Sequence, residues 1–298
     1  MATSRSLAII LAAFLWLVQV LATNHFVGIA ASNSIGGTST FTCRTQQQWN
    51  DLANTAKANG FRSIRIIGFD CNALDWASSA AEAAGLTILA GIYYTGSVAS
   101  SRTSINNDVK TFLVACAKYG TGRYAGLTVG NEIYSDTLNN VIAEVDDVRN
   151  QLRAAGVQTP VSTSHTWVMI RDNPTILCRT DFVAANAHAF YDTNTVAAEA
   201  GDFVFKIVVP ALQHACPGKQ ITITESGWPS RGSTNGVAVP SIPNERSALA
   251  SLNCACRDDT SIFVYAFEYD DQGWKANDNE RSFGISGKLN FGDIFASC

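Results

Sequence analysis

Two glutamates stand where carboxylate chemistry could be done. Glu132 closes the apolar run in LTVGNEIY with Asn131 beside it, and Glu225 closes a second run in ITITESGWPS, leading into a glycine and a Trp228–Pro229 corner. Cleaving a glycosidic bond takes one carboxyl to protonate the departing oxygen and another to meet the positive charge growing on the anomeric carbon. A lone strand-end glutamate is ordinarily half of an ion pair. Two of them, each ending an apolar run, make catalysis the stronger reading. Tyr94, Tyr134 and Tyr191 end or follow similar runs and Trp228 follows Glu225; their planes could pack on the C–H faces of sugar rings. Strand alternation sends only one of Tyr93 and Tyr94 inward, and Tyr94 is assigned to the groove.

Other chemistries find less support. His165 and His188 lie near strand ends, but no third ligand has suitable spacing, so neither a metal nor a cofactor is expected and metal-dependent deacetylation is set aside. A hydrogen bond to a sugar, or a satisfied strand-end position, suits these histidines better. No glycine-rich phosphate loop follows the first strand.

The elements that must carry these residues alternate. Short β-branched or aromatic runs fall at 26–31, 63–69, 86–94, 124–132, 160–167, 182–191, 220–227 and 261–269, separated by helical periodicity clearest at 45–60, 74–85, 104–120 and 138–156. Gly60, Gly85, Gly120 and Gly156 end those four helices, as left-handed caps require. Eight strand–helix units predict an α/β fold, a single (β/α)8 barrel over residues 23–298, in which chemistry gathers at the carboxyl ends of the strands. Glu132 and Glu225 end the fourth and seventh strands.

The first residues carry one positive charge, Arg5, an apolar run from Leu7 to Leu21 and small residues near Ala22, the layout of a secretory signal peptide over 1–22. Removal would leave a secreted chain with no membrane partner, extracellular or in a cell wall. All eight cysteines follow this segment, which favours disulfides, although 105 complete pairings remain open. Cys254 and Cys256, one residue apart with no histidine nearby, do not resemble a zinc site. A net charge of −4 argues against nucleic acid and suits a neutral polymer. A monomer is expected.

VGNE at 129–132 and SGWPS after Glu225 resemble the two signature segments of glycoside hydrolase family 17, the β-1,3-glucanases and β-1,3-glucanosyltransferases, and the similarity runs from FVGIAAS at 26–32 to ERSFGI at 280–285. The resemblance implies a β-1,3-glucan polysaccharide or oligosaccharide as partner and double displacement with retention. Glu225 would be nucleophile and Glu132 acid, then base. It also implies that Asn131 binds the 2-hydroxyl, and that Glu268, Lys275 and Glu280 surround the mouth, with Asp270 and Asp271 as alternatives for the acidic position. Hydrolysis and transfer to a second glucan use the same residues; a non-catalytic carbohydrate-binding barrel is the reading from another class.

Overall fold

The computed structural model describes residues 23–296 and 298. The signal-peptide segment 1–22 lies outside the described residues. Eight parallel strands close on one another in sequence order: β1 (Gly28–Ala30), β2 (Ser63–Arg65), β3 (Thr87–Ile92), β4 (Tyr124–Asn131), β5 (Val161–Thr166), β6 (Val183–Asn186), β7 (Ile221–Ser226) and β8 (Phe263–Ala266). β8 pairs with β1 through Gly28–Tyr265 and Ile29–Ala266, which removes both sheet edges. The predicted (β/α)8 barrel is the observed fold.

Helices fill the crossovers. They are α1 (Gln46–Ala58), α2 (Ala73–Ala84), α3 (Val98–Tyr119), α4 (Leu138–Ala154), the short α5 (Trp167–Asp172) and α6 (Pro174–Leu177), then α7 (Ala200–Asp202), which runs through a wide turn at Phe203–Val208 into α8 (Val209–Ala215), and finally α9 (Ile242–Asp258) and α10 (Phe291–Phe295). Thr45 opens α1 with a capping box to Gln48, and Thr137 and Ser241 cap α4 and α9. The four expected terminal glycines all adopt positive φ. α3 begins earlier than its periodicity suggests because Ser97 caps it and Asp136, from the segment after β4, accepts the Val98 N–H at 2.7 Å. That second cap comes from outside the helix and leaves no local signature.

Outward-facing strand residues such as Ile64, Ile88, Val129 and Ile223 join the helices in one large core. A smaller cluster of Leu89, Phe182, Ala184 and Tyr265 packs apart from it. Three disulfides, Cys43–Cys71, Cys178–Cys216 and Cys254–Cys298, tie loops and the carboxyl end. The expectation of disulfides needs correction at two positions. Cys116 on α3 and Cys256 on α9 are free and buried, as small apolar side chains often are.

A charged knot lies beneath the carboxyl-terminal loops. Lys288 Nζ reaches the fully buried Glu245 of α9 at 3.1 Å and Asp271 at 2.9 Å, and Arg231 holds the other oxygen of Asp271 at 2.9 Å. Lys288 also donates to the Ser230 hydroxyl at 2.7 Å and the Ser282 carbonyl at 2.8 Å. The loop after β7, the start of α9 and the segment after β8 are thus held at one point. Burial pushes the Glu245 carboxyl up to about 8, with Lys288 opposing.

Removing Lys288 leaves the buried Glu245 without its partner while Asp271 keeps Arg231, so Lys288→Met should lower unfolding free energy by roughly 3 kcal/mol in urea titrations. A carboxyl whose folded pKa is raised costs stability as pH climbs from its unfolded to its folded value. Without Lys288 that folded value rises further, so the variant's deficit should widen as pH passes 8. Thiol titration of the unfolded, unreduced chain should find Cys116 and Cys256 and no others.

Candidate active site

Regular alternation would not aim Glu225 into the barrel. In β7, Thr224 hydrogen-bonds across the interior to Ser164 of β5 at 2.9 Å, whereas Ile221 and Ile223 belong to the core shared with the helices. Glu225 follows Thr224 and would continue the outward set. Pairing with β6 runs Ala185–Ile223 and then Asn186–Glu225, so β7 holds one extra residue at this point. Such a bulge re-aims the side chains around it. β4 does the same against β5, pairing Thr128–Ser162 and then Asn131–Ser164. Glu132 follows at φ 53° with its N–H bonded to the Ser164 carbonyl at 2.8 Å. This left-handed conformation costs an ordinary residue about 1–2 kcal/mol. After Glu225 the chain turns at Gly227, where a Cβ would sit 1.9 Å from the Phe267 carbonyl oxygen.

The two carboxylates share one cleft. Both line a cavity of about 460 Å³ toward β5 and β6, with Asn186, His188 and Tyr191, and a second of about 470 Å³ toward β1 and β8. Arg65, at the end of β2 and 1% exposed, donates to Glu225 Oε1 at 2.6 Å and to Asn131 Oδ1 at 2.9 Å. His188 Nε2 stands 3.4 Å from the other Glu225 oxygen. Asn186 donates to Glu132 Oε1 at 2.9 Å, and its own carbonyl accepts from Thr224 at 2.7 Å and Ser164 at 3.1 Å. A continuous polar layer therefore joins the two glutamates beneath the cleft.

The surroundings push the carboxyls apart in acidity. Burial would raise Glu225, but the charge and hydrogen bonds of Arg65, with those of His188, outweigh it and bring the pKa to about 2. Glu132 moves up, because burial and the charge of Glu225 exceed the help from Asn186, His188 and Arg65. One carboxylate kept ionised beside one biased toward its acid form is the division of labour that acid–nucleophile chemistry requires.

The remaining sequence-assigned residues fall into three groups. Lys275 pairs with Glu268 at 2.6 Å, and both line the β1/β8 side of the cleft. Burial raises Glu268 to about 7 against the pull of Lys275. Glu280 lines both cavities and accepts a hydrogen bond from Tyr191. Asp270 and Asp271 are occupied elsewhere, by Arg44 and by Arg231 with Lys288, so Glu268 is the acidic residue that faces the mouth. Tyr134 is exposed, edge-on to His165, and does not line either cavity.

Two aromatic assignments are corrected. Trp228 is fully buried, its indole N–H bonded to the Val239 carbonyl at 3.0 Å and its ring edge-on to Phe190, because the chain after Gly227 turns it down into the core. Tyr94 is 4% exposed, while its neighbour Tyr93 is 49% exposed and lines the cleft; alternation was the right rule applied to the wrong member. Arg65 and Asn186 were missed. The arginine left a signal, since a charge inside the apolar run SIRIIGF has to be buried with a partner. Asn186 left none, because its role depends on which strands face it. Among the described residues no group of three His, Cys, Asp or Glu side chains is placed to hold a metal ion.

Fold and site together define a barrel built for two-carboxylate chemistry at the carboxyl-terminal face. Residues 28–285 match the BtgE/BtgC glycoside hydrolase domain. The probable family 17 glucosidase SCW4 of Saccharomyces cerevisiae is 34% identical over 230 residues, covering 76% of this chain and 56% of that protein. Cell surface mannoprotein MP65 of Candida albicans is 34% identical over 250 residues, 82% of this chain and 62% of that one. The crystal structure of the family 17 β-1,3-glucanosyltransferase from Rhizomucor miehei superposes with a TM-score of 0.75 at 21% identity, covering 90% of this chain and 97% of that one. The chain belongs to the BtgE/BtgC glycoside hydrolase family, within glycoside hydrolase family 17. It spans between half and two thirds of the length of these two curated relatives.

If activity needs Glu225 ionised and Glu132 protonated, the lowered carboxyl would govern the acid limb of a pH profile and the raised one the alkaline limb. Arg65→Gln removes the strongest force lowering Glu225, so the acid limb of kcat/KM should move upward by about 1–3 pH units, with a loss of rate at neutral pH. An unmoved acid limb would show that Arg65 does not set the ionisation of Glu225.

Proposed function

We propose that this chain is a retaining glycosidase acting on β-1,3-glucan, with Glu225 as nucleophile and Glu132 as acid and then base. The observation that carries the proposal is the placement of Glu132 and Glu225 in one cleft at the carboxyl ends of β4 and β7, with Arg65 and His188 on Glu225 and the neutral Asn186 on Glu132, partners that favour an ionised Glu225 beside a more basic Glu132.

In the first step the Glu225 carboxylate attacks the anomeric carbon. Glu132 gives its proton to the departing glycosidic oxygen, leaving a covalent glycosyl-enzyme. Arg65 keeps Glu225 anionic and fixes its angle by holding Oε1, while the same guanidinium orients Asn131, whose amide N–H groups are left to meet the sugar 2-hydroxyl. The negative charge that raises Glu132 is quenched once Glu225 becomes an ester. Glu132 then ionises more readily and can serve as base for the incoming hydroxyl. Water as acceptor gives hydrolysis; a glucan hydroxyl gives transfer.

Open cavities on both sides of the glutamates support cleavage within a chain and leave room for an acceptor sugar, so transfer is retained as the second reading. The family 17 glucosidase name of the yeast relative favours glucan. An exported chain, extracellular or in a cell wall, is supported by the three disulfides and by the cell-surface name of the Candida relative. Among the described residues no helix is long and apolar enough to cross a membrane. Residues 23–298 would form the catalytic domain and act as a monomer.

The test is a product time course on laminari-oligosaccharides with wild type and Glu225→Gln side by side. Shorter products with the β-anomer formed first by NMR, absent in the variant, are the expected hydrolytic result. Products longer than the substrate would move the reading to transfer. Equal rates in wild type and Glu225→Gln would overturn the assignment. Glu132→Gln should slow natural glucans far more than aryl glucosides, whose leaving group needs no proton.

A further inference from the structure

The cleft on the β1/β8 side carries an aromatic platform that the two-carboxylate mechanism does not use. Phe41 and Trp274 meet edge to face, their ring centroids 5.1 Å apart, and both line this cavity while remaining 44% and 38% exposed. Neither is a loose surface side chain. The Trp274 indole N–H donates to Gln272 Oε1 at 2.8 Å; Gln272 is fully buried and donates in turn to Asp270 at 2.8 Å, and Asp270 is clamped by Arg44 at 2.5 Å. A chain of three residues, Gln272, Asp270 and Arg44, thus fixes the rotation of an exposed indole. Phe41 is fixed from the other side, two residues before the Cys43–Cys71 disulfide. The two loops meet at Gly273, where a Cβ would lie 2.7 Å from the Thr38 carbonyl oxygen, so only a glycine lets the platform close.

Polar groups share this cavity. Asp70 lines it, exposed, its Oδ1 held by Asn33 at 2.7 Å, while among the described residues no side chain donates to its second oxygen. Tyr93 adds a half-exposed phenol. Rigid aromatic faces beside a free carboxylate oxygen match a pyranose whose substituents are all equatorial: its flat C–H face stacks and its rim hydroxyls donate. An axial hydroxyl stands perpendicular to the sugar ring and would obstruct stacking on the face from which it projects.

We propose that Phe41 and Trp274, with Asp70, form a binding subsite for a β-glucosyl unit of the same glucan chain, remote from the bond being cut. The proposal rests on the glucan reading above and deepens it, because it makes affinity grow with chain length on the β1/β8 side. Preorganisation is what makes the site effective, since the ordering cost is met in folding rather than in binding.

The test uses the full chain carrying Glu225→Gln, so that ligands stay intact, and measures Kd for laminaribiose through laminarihexaose by calorimetry. Adding Trp274→Ala or Phe41→Ala should weaken the longest oligosaccharides by about five- to tenfold while leaving laminaribiose within about twofold. Trp274→Phe should recover most of the loss, and the isosteric Asp70→Asn should reproduce part of it without disturbing the aromatic pair. Losses equal at every length, or no loss at all, would overturn the subsite and leave the two-carboxylate assignment standing. Failure of the parent Glu225→Gln chain to bind any laminari-oligosaccharide would instead overturn the glucan reading, and the subsite with it.

Discussion

Arg65 reaches across the mouth of the barrel to Glu225, and much of the site is arranged around that contact. A guanidinium that is 1% exposed must be paired, because an isolated buried charge costs several kcal/mol. Its two terminal nitrogens are divided between Glu225 on β7 and Asn131 on β4, so one rigid fork links Glu225 to the neighbour of Glu132. Ser164, Thr224 and Asn186 extend the link to Glu132 itself. An apolar filling at this level would pack equally well but could not hold Glu225 ionised. The polar layer gives up hydrophobic burial in exchange for control of two carboxyl groups.

The barrel accommodates this by becoming irregular where chemistry is needed. β4 and β7 each carry one residue more than a neighbouring strand immediately before their glutamate. Each extra residue interrupts the ladder locally and changes where the following side chain points. Glu132 adds a left-handed backbone conformation, tolerated because its N–H is bonded to β5 and its carboxyl to Asn186. Strain of this kind persists only where the surroundings over-determine it.

Loops complete the cleft, and their rigidity comes from buried polar contacts rather than from apolar packing alone. Lys288 gathers the segments after β7 and β8 over α9, and the Arg44–Asp270–Gln272–Trp274 chain fixes the opposite side. Lys275, Glu280 and Trp274, which line the β1/β8 side of the cleft, all ride on the segment between β8 and α10. A long loop could not hold them to hydrogen-bond tolerance without these anchors.

The eight-unit alternation, the helix ends at Gly60, Gly85, Gly120 and Gly156, and the placement of Glu132 and Glu225 at strand ends were all legible in the sequence, because they follow from local periodicity and from the conformational freedom of glycine. The pairing of cysteines was not, since it depends on which loops meet: six pair, while Cys116 and Cys256 are enclosed on separate helices. The choice between Tyr93 and Tyr94, and the burial of Trp228, turned on the local path of the chain at a strand end, which periodicity does not encode. Asn186 and Arg65 acquire their roles only when β2, β4, β6 and β7 converge on one mouth. Periodicity marks which residues form each strand, but the closing of the barrel and the bulges beside Glu132 and Glu225 decide which side chains meet at its mouth, and the chemistry of this site is made of those meetings.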